Sequence, residues 1–403
     1  MTFFSKLGEN IILPQDVLIQ SKETAGVSGA INATIGIATK DKVIKDINNS
    51  EYLPYSPTPG LPEMRNLWKE KIISDNPKIN KEHLSLPMVT TGITQGIDIA
   101  ANLFSCEGDA LLLPSLFWQN YAQIYSIKLG NKVYTYNQFN ENNTYYLENF
   151  KEVLYSIKES KISLILNFPN NPTGYTPSTE ELDELTIIID RFAKDNPEKQ
   201  VIIICDDAYF GLFFEENHKT PSLSSIYKLE TNSNCLIVKL DGITKEYYGW
   251  GLRIGFITYY TGNDNLREHL LEKTQGYLRS TTSSPCNLSQ QIAIRLLKDK
   301  DTYIEKKDND KIIHERYIIL KKSLDDYKLS DSVTVLPFNS GYFFTIKMPS
   351  KINAHDFRLK FLHDYKYGVY SMDNKHIRIA FSCLDKELIP DLVKNFKLCL
   401  NEF

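Results

Sequence analysis

Two apolar runs joined by a polar turn organise the sequence: Leu236-Ile237-Val238-Lys239-Leu240-Asp241-Gly242-Ile243-Thr244-Lys245 and then Leu252-Arg253-Ile254-Gly255-Phe256-Ile257. Each run has the length and the apolar content of a buried β-strand, so the pair predicts two strands of one sheet. Lys245 and Arg253 lie between the two runs, eight positions apart. The turn therefore brings a lysine and an arginine together at the edge of the predicted sheet.

A lysine beside an arginine at such an edge has a specific chemical use. The lysine can form a Schiff base with an aldehyde, while the guanidinium group holds a phosphate of the same molecule. Pyridoxal phosphate is the cofactor that needs both groups. The alternative is an exposed lysine and a sheet-edge arginine in a lysine-rich chain, and these two residues alone leave that alternative open.

Length and composition are those of an ordinary globular protein. The 403 residues suffice for two domains with sizeable cores, and 42% are hydrophobic and 24% charged. The net charge of −4, without a long basic run, argues against nucleic acid or an anionic membrane as the main partner. The six cysteines and seven histidines are scattered, so we expect no metal site and a reducing compartment. We find no signal peptide and no bilayer-spanning apolar run, and therefore expect a cytoplasmic protein.

Strands and helices alternate from about residue 89 onward. Apolar strands are predicted at 110–113, 132–136, 162–167 and 201–205. Ser178 and Glu181 stand in capping-box spacing at the start of an amphipathic helix. This alternation indicates an α/β fold with a parallel sheet that helices cover on both faces.

The pattern changes after about residue 285. Long charged helices are predicted over 287–328, followed by short strands, a helix at 354–365 and a hairpin that ends at 376–381. These features are typical of an α+β domain. We therefore predict a large α/β domain over residues 48–285 and a smaller α+β domain built from both chain ends, 1–47 and 286–403.

Polar residues follow the predicted strands at their carboxyl ends, where open α/β sheets bind ligands. Asp206 comes directly after an apolar strand and can keep a pyridine nitrogen protonated, although Asp207 competes for this role. Asn171 and Tyr209 can contact a phenolate oxygen, or can belong to a turn and to the core. Each residue has an ordinary structural explanation, and the hypothesis depends on their order along one predicted sheet.

Two further features fit a flat, phosphorylated ligand, and a third concerns an arginine near the C-terminus. Gly92-Ile93-Thr94 begins an apolar helix, whose N-terminus offers free N–H groups to a phosphate. Trp118 can stack on a flat ring, although a core tryptophan is equally consistent with the sequence. Arg378 alternates with Ile377 and Ile379 in the predicted hairpin, so its side chain should point away from the apolar face.

In combination these motifs resemble the fold-type I, pyridoxal phosphate-dependent aminotransferases of class I and II, the family of aspartate aminotransferase. The resemblance runs from about residue 31 to residue 381. Its strongest pieces are Tyr55-Ser56-Pro57-Thr58-Pro59-Gly60-Leu61-Pro62-Glu63-Met64-Arg65, Asn171-Pro172-Thr173-Gly174, Asp206 with Tyr209, Lys245 with Arg253, and His376-Ile377-Arg378-Ile379-Ala380. The resemblance implies a large domain with a mostly parallel, seven-stranded sheet. It also implies transamination, in which the amino group of an L-amino acid passes through pyridoxal phosphate to a 2-oxo acid.

The resemblance implies a role for each matched residue. Lys245 would bind the cofactor covalently and move the proton between substrate and cofactor. Asp206 would face the pyridine nitrogen, Asn171 and Tyr209 the phenolate oxygen, and Trp118 the ring. The phosphate would be held by Ile93, Thr94, Thr244 and Arg253, and by Tyr55 from the other subunit of a homodimer. The substrate α-carboxylate would be held by Gly36, Trp118, Asn171 and Arg378.

Three positions need separate comment. Gly242 stands where some family members place a phosphate-binding serine, which puts that contact in doubt, and Ile93 replaces a glycine or alanine. Arg279 lies in a segment that, in aspartate aminotransferases, supplies an arginine from the partner subunit for the side-chain carboxylate of the substrate. If Arg279 does so, the substrates are aspartate or glutamate with 2-oxoglutarate. The alternatives are a surface arginine and an enzyme for aromatic or aliphatic amino acids.

Three other functions compete with transamination. The same scaffold also supports other pyridoxal phosphate chemistry, such as a C–S lyase reaction or a ring-forming elimination, which only product analysis separates. A regulatory module fused to a DNA-binding domain is disfavoured, because the sequence shows no helix-turn-helix extension and no basic face. A scaffold without a cofactor would not need Lys245, Asp206 and Arg378 together.

Overall fold

The structure is a computed structural model that describes residues 17–34, 36, 54–219, 222–330 and 333–403. Its strands are β1 (Ile31–Asn32), β2 (Met88–Thr91), β3 (Ala110–Pro114), β4 (Lys132–Tyr136), β5 (Lys161–Asn167), β6 (Gln200–Asp206), β7 (Cys235–Gly242), β8 (Ile254–Tyr260), β9 (Thr334–Val335), β10 (Phe343–Lys347), β11 (Tyr367–Gly368), β12 (Tyr370–Ser371) and β13 (His376–Ala380). Its α-helices are α1 (Val17–Ala25), α2 (Pro62–Asp75), α3 (Gly92–Phe104), α4 (Asn120–Ala122), α5 (Leu147–Ser156), α6 (Thr179–Asp195), α7 (Ser222–Ile226), α8 (Ile243–Glu246), α9 (Asp264–Thr281), α10 (Asn287–Lys298), α11 (Lys300–Tyr327), α12 (Ala354–Tyr365) and α13 (Leu388–Leu400).

The main sheet has seven strands in the order β2-β8-β7-β6-β5-β3-β4. The pairs β4–β3, β3–β5, β5–β6 and β6–β7 are parallel, whereas β8 runs antiparallel to both β7 and β2. The connection between Gly242 and Ile254 is shorter than the dozen or so residues of a parallel crossover, so the chain turns back instead. The predicted mostly parallel, seven-stranded sheet is confirmed.

Apolar side chains cover both faces of this sheet, as the sequence pattern predicts. Along β6, Val201, Ile203 and Cys205 belong to one apolar cluster, and Ile202 and Ile204 belong to the cluster on the opposite face. Successive side chains of a strand point to opposite faces, so an unbroken apolar run requires two covered faces. Each fully buried aliphatic side chain of this kind contributes roughly 1.5–3 kcal/mol to stability.

A second sheet, which is antiparallel and has the strand order β12-β13-β10-β9, contributes a third apolar cluster with helices α11, α12 and α13. Strand β1 pairs with β11 in parallel, so that Ile31 lies opposite Tyr367. The N-terminal segment therefore packs with the C-terminal part of the chain. The domain boundary predicted at residues 47 and 48 lies outside the described residues, and the division at residue 285 stays a prediction.

Individual elements also follow the sequence pattern. The N-cap of α6 is a capping box, in which Ser178 Oγ accepts from the Glu181 N–H at 3.2 Å and Glu181 Oε2 accepts from the Ser178 N–H at 2.7 Å. The predicted charged helices correspond to α10 and α11, and the predicted helix at 354–365 is α12. Within the described ranges, no helix is both long and apolar enough to cross a bilayer, and no cluster of side chains could hold a metal ion.

Candidate active site

A cavity of about 220 Å³ opens at the carboxyl ends of the central strands, between the two larger sheets. It brings together every residue that the sequence predicts for the site except Tyr55 and Arg279. The predicted residues in its wall are Gly36, Ile93, Thr94, Trp118, Asn171, Asp206, Tyr209, Thr244, Lys245, Arg253 and Arg378. Residues up to several hundred positions apart thus line a single cavity.

Lys245 stands in the one-turn helix α8, directly after β7. Its Nζ lies 5.3 Å from the centre of the Tyr209 ring. Burial lowers the pKa of Lys245 to about 8, the nearby charge of Asp206 opposes this shift, and the charge of Arg253 adds to it. At neutral pH such a lysine keeps a fraction of neutral amine, which is the nucleophilic form.

Asp206 ends β6 and is fully enclosed by the protein. Its Oδ2 accepts a hydrogen bond of 2.5 Å from the Tyr121 hydroxyl, and its Oδ1 accepts one of 3.1 Å from the Ala208 N–H. Burial raises the pKa of Asp206 to about 6, and both hydrogen bonds act in the opposite direction. The carboxyl group is therefore mostly ionised at pH 7 and can face a protonated ring nitrogen.

Asp207 has a different environment. Its carboxylate accepts a hydrogen bond of 2.9 Å from Ser222 Oγ and pairs with the buried ammonium group of Lys239. Lys239 Nζ also lies 3.2 Å from Asp241 Oδ2. Asp207 is therefore part of a buried ion-pair network and does not line the cavity, whereas Asp206 does.

One end of the cavity is suited to an anion. Helix α3 begins at Gly92, and the N–H groups of Ile93 and Thr94 in its first turn have no partner within the helix. The Arg253 guanidinium packs so closely over Gly92 that an added Cβ would lie 2.4 Å from Nη2. Helix N–H groups, the helix dipole and a guanidinium together are suited to bind a phosphate.

The backbone near this end leaves no room for a side chain at position 242. A Cβ on Gly242 would lie 2.6 Å from the Ile254 carbonyl oxygen and 2.9 Å from Gly255 Cα. A Cβ on Gly255 would in turn lie 2.6 Å from the backbone nitrogen of Ile93. A serine at position 242 would therefore require the backbone of this chain to shift.

Arg378 lines the cavity from the second sheet. It lies on β13, where Thr345 of β10 and Tyr370 of β12 are its direct neighbours across the sheet. Its Cζ lies 4.2 Å from the ring centre of Phe343 and 5.0 Å from that of Tyr370. The side chain is only 5% exposed, and burial lowers its pKa from the ordinary value. The predicted orientation of Arg378, away from the apolar face, agrees with this placement.

The hydrogen bonds of Arg378 leave part of its guanidinium for a ligand. Nη1 donates to Asn171 Oδ1 at 2.9 Å, and Nη2 donates to the Thr34 carbonyl oxygen at 2.8 Å. Nε has no hydrogen-bond partner within the described part of the chain. A buried cation with a free donor is suited to bind a carboxylate.

Sequence reasoning missed several residues of the cavity wall: Val17, Tyr121, Asn167, Ala208 and Phe343. Tyr121 follows Trp118 by three residues in the turn that leads into α4, and the two rings meet at nearly right angles with centres 5.5 Å apart, so this short spacing could have pointed to it. Asn167 ends a predicted strand, and its side chain donates to the Asp206 carbonyl oxygen at 3.0 Å. Val17 and Phe343 reach the cavity from outside the main sheet and carry no local signal.

Tyr55 and Arg279 lie away from the cavity of their own subunit. Tyr55 is 94% exposed. Arg279 is exposed in the last turn of α9, where Nη1 donates to Ser283 Oγ at 2.5 Å. Both residues were expected to act on a partner subunit, so their roles stay predictions.

The residues of the cavity fit pyridoxal phosphate. An amine of lowered pKa, a buried carboxylate, an indole and an anion site meet in one space, and each matches one group of this cofactor. Lys245 would hold the aldehyde carbon, Asp206 the ring nitrogen, and Arg253 with the start of α3 the phosphate.

Comparison with known proteins agrees with this fit. The sequence matches the family described as Aminotransferase class I and II over residues 34–396. It is 27% identical over 270 residues to the probable aspartate/prephenate aminotransferase of Rickettsia conorii. The aligned segment covers 66% of this chain and 61% of that protein. The chain thus spans about three fifths of that relative. It is 23% identical over 368 residues to the aspartate aminotransferase of Sulfurisphaera tokodaii, covering 89% of this chain and 84% of that one.

Solved structures share the fold. An aminotransferase from Anaerococcus prevotii superimposes with a TM-score of 0.85 at 22% identity, covering 100% of both chains. The α-aminoadipate aminotransferase LysN from Thermus thermophilus, solved with N-(5'-phosphopyridoxyl)-L-leucine, gives a TM-score of 0.77 at 19% identity over 99% of this chain and 97% of that one. With a family match over residues 34–396 and a cavity built for the cofactor, this chain belongs to the class I and II aminotransferases, a family of pyridoxal phosphate enzymes.

Proposed function

We propose that the protein transfers the amino group of an L-amino acid to a 2-oxo acid. The observation that carries this proposal is the single cavity in which Lys245, Asp206, Arg253 and Arg378 meet. Pyridoxal phosphate, when bound, supplies an aldehyde that takes up the amino group and a ring that withdraws electrons. The four residues then have separate tasks.

The proton-transfer group is Lys245. Its lowered pKa of about 8 leaves neutral amine at physiological pH, and Nζ can take the proton from the α-carbon of the substrate. Asp206 holds a proton on the ring nitrogen, and Tyr121 holds Asp206 in place. Asn171 and Tyr209 bind the phenolate oxygen.

The ends of the cavity orient the two partners of the reaction. Arg253, Thr244 and the first N–H groups of α3 bind the phosphate. Arg378 binds the substrate α-carboxylate, and Asn171, Trp118 and Gly36 complete this subsite. Fixing the α-carbon in this way brings its proton toward Lys245, which is the positioning that catalysis requires.

We also propose a homodimer in which each subunit completes the site of the other. Tyr55 is exposed, yet its loop is firmly anchored, because Ser56 Oγ donates to the Pro285 carbonyl oxygen at 2.6 Å. The buried Gln290 side chain accepts from the Leu61 N–H at 2.7 Å and donates to Ser56 Oγ at 3.1 Å. An ordered loop that holds an aromatic residue in solvent fits a residue that binds the phosphate of a second subunit.

For location, we propose the cytoplasm. All six cysteines are free thiols in the structure. Free thiols are typical of proteins that work in a reducing compartment.

The finer proposal concerns the substrates, aspartate or glutamate with 2-oxoglutarate. It is supported by the names of the relatives from Rickettsia conorii and Sulfurisphaera tokodaii and by the exposed position of Arg279. A relative in Thermococcus litoralis, 23% identical over 342 residues, is named aromatic-amino-acid aminotransferase 2, so aromatic substrates stand as the second candidate.

A coupled assay tests both levels of this proposal. The holoenzyme is offered each amino acid with 2-oxoglutarate, and the products are identified by mass spectrometry. Formation of glutamate and the matching 2-oxo acid supports transamination, whereas release of hydrogen sulfide, pyruvate and ammonia from cysteine would show a C–S lyase. If Arg279 binds the side-chain carboxylate, Arg279→Leu should abolish a preference for aspartate over alanine.

A further inference from the structure

Helix α2 holds the segment that carries Lys245 from behind the cavity. Trp68 Nε1 donates to Asp241 Oδ1 at 2.8 Å. One turn further along the same helix, Lys71 Nζ lies 2.7 Å from Glu246 Oε1. Asp241 precedes Lys245 by four residues, and Glu246 follows it directly. Helix α2 therefore binds a carboxylate on each side of the lysine, through side chains that do not line the cavity.

These contacts are complete within one subunit. Trp68, Asp241 and Glu246 are buried in their own chain. The Lys71 side chain is largely buried, and its ammonium group lies 5.0 Å from the ring centres of both Trp68 and Phe210. The network behind Lys245 thus needs no residue of a partner subunit.

Lys245 itself lies in α8, a helix of a single turn. An isolated turn of helix is unstable, because forming its first hydrogen bond fixes several residues at once. The Lys245 carbonyl oxygen accepts two long hydrogen bonds, from the Tyr248 N–H at 3.3 Å and from the Tyr342 hydroxyl at 3.4 Å. The orientation of α8 therefore depends on side chains from other elements, and α2 contacts the chain on both sides of the lysine.

Lys71 also determines the charge behind the lysine. With Asp75 and Glu246 it forms a group of one positive and two negative charges, in which its Nζ lies 2.6 Å from Asp75 Oδ2. Without the ammonium group, Glu246 would be an unpaired buried carboxylate next to Lys245 in the chain. A negative charge nearby favours the protonated form of a lysine, which is not nucleophilic.

Several other charged or titratable side chains face Lys245, Lys71 or Glu246 from the surrounding elements. They are Asp75, Asp206, Tyr209, Asp241, Tyr247, Arg253 and Lys306. Lys306 is itself paired with Asp310, 2.8 Å away along α11. Changes at Lys71 and Glu246 leave all of these side chains in place, so their contribution is common to every variant.

We propose that Lys71 is a positioning residue that acts on Lys245 through Glu246: it binds this carboxylate behind α8 and cancels a charge that would otherwise keep the lysine protonated. This inference rests on the proposed function, because it concerns the lysine that holds the cofactor and moves the proton. Lys71 contacts neither cofactor nor substrate. Its effect should therefore be measurable on Lys245 without turnover.

The test measures the ionisation of Lys245 in the full-length apoprotein. Acetic anhydride labels neutral amines, and peptide mass spectrometry gives the labelled fraction of Lys245 as the pH is varied. The exposed Lys151 is the internal reference. The native midpoint should lie near pH 8.

Three variants separate charge from packing. Lys71→Met leaves Glu246 without its ammonium partner and should raise the midpoint, whereas Glu246→Gln removes a negative charge and should lower it, each by roughly half a unit to one unit. The double variant, Lys71→Met with Glu246→Gln, has the net charge of the native protein and should return the midpoint to near 8. The matched control is Lys194→Met, which breaks another helical ion pair, with Asp190 at 2.7 Å, and should keep the native midpoint.

Two results would overturn the inference. One is a midpoint that does not move in opposite directions in the two single variants, because a loss of packing alone has no sign. The other is a double variant that folds, as circular dichroism shows, without restoring the native midpoint. If Lys71→Met does not fold, Glu246→Gln and the double variant still decide the question. If the midpoints move as expected but the holoenzyme transaminates no amino acid, the proposed function fails and the action of Lys71 on Lys245 stands.

Discussion

Replacing Tyr121 by phenylalanine should raise the pKa of Asp206. The pH below which pyridoxal phosphate binding weakens should rise with it. The Tyr121 hydroxyl donates to Asp206 Oδ2 at 2.5 Å, and the other donor to this carboxylate in the described structure is the Ala208 N–H, 3.1 Å from Oδ1. A hydrogen bond to a charged group is worth roughly 1.5–3 kcal/mol, and one pKa unit corresponds to about 1.36 kcal/mol. Losing the Tyr121 bond should therefore raise the pKa of Asp206, now about 6, to about 7–8.

The assay is a titration of the apoprotein with pyridoxal phosphate across a range of pH. The ionised form of Asp206 holds the proton on the ring nitrogen, so binding should weaken as the pH falls through the pKa of Asp206. The native midpoint should lie near 6, and that of Tyr121→Phe one to two units higher. The titration of the cofactor phosphate is common to all variants and cancels in the comparison.

The matched control is Tyr125→Phe. Tyr125 is also fully buried, lies four residues after Tyr121, and makes no hydrogen bond to Asp206 in the described structure. Its removal should leave the midpoint near 6. A midpoint that is the same in Tyr121→Phe as in the native protein would refute the argument that this hydroxyl sets the protonation of Asp206.

Lys245→Ala should lose turnover by several orders of magnitude. Borohydride reduction of the native enzyme should fix the cofactor on the peptide that contains Lys245. A label on any other peptide would contradict the assignment. Asp206→Asn should also lose turnover. Folding raises the pKa of Asp206 from the ordinary 3.8 to about 6, so its ionised form at pH 7 destabilises the folded protein. Asp206→Asn removes this charge. In denaturant at pH 7, its apoprotein should therefore be at least as stable as the native apoprotein, and more stable by up to about 3 kcal/mol. Asp207→Asn removes one of the two carboxylates beside the buried Lys239 ammonium group and should instead lower stability, by less than the roughly 3–5 kcal/mol of a fully broken buried pair because Asp241 remains 3.2 Å away. Tyr55→Phe should weaken cofactor retention; a fully active monomer in sedimentation would refute the shared site.

Local pattern was enough to predict the α/β architecture. The unbroken apolar run in β6 requires a sheet covered on both faces, and the spacing of Ser178 and Glu181 marks the start of α6. The position of the site followed from the same pattern, because parallel strands end at one edge of a sheet. Asp206 and Lys245 come at or just after the ends of β6 and β7, so both could be assigned before their contacts were known.

Local pattern favoured Asp206, which directly follows the apolar strand, but it did not exclude Asp207. Neighbouring residues at the end of a strand point in opposite directions, and only the surroundings of each determine which one meets the ligand. Tyr121 bonds Asp206 from 85 positions away, and Lys239 pairs with Asp207 from 32 positions away. These distant partners place Asp206 in the cavity and Asp207 in a buried ion pair.

The sequence by itself thus determined the order of strands and helices, the edge of the sheet at which ligands bind, and the chemical types of the groups found there, because each of these depends on residues close together in the chain. Only the tertiary structure decided the contact of Arg378 with Asn171 across 207 positions and the cavity that the two residues line. These features depend on the packing of the second sheet against the first. The distances between segments on different sheets follow from side-chain volumes and hydrogen bonds throughout the molecule. The local alternation of apolar and polar residues carries no information about them.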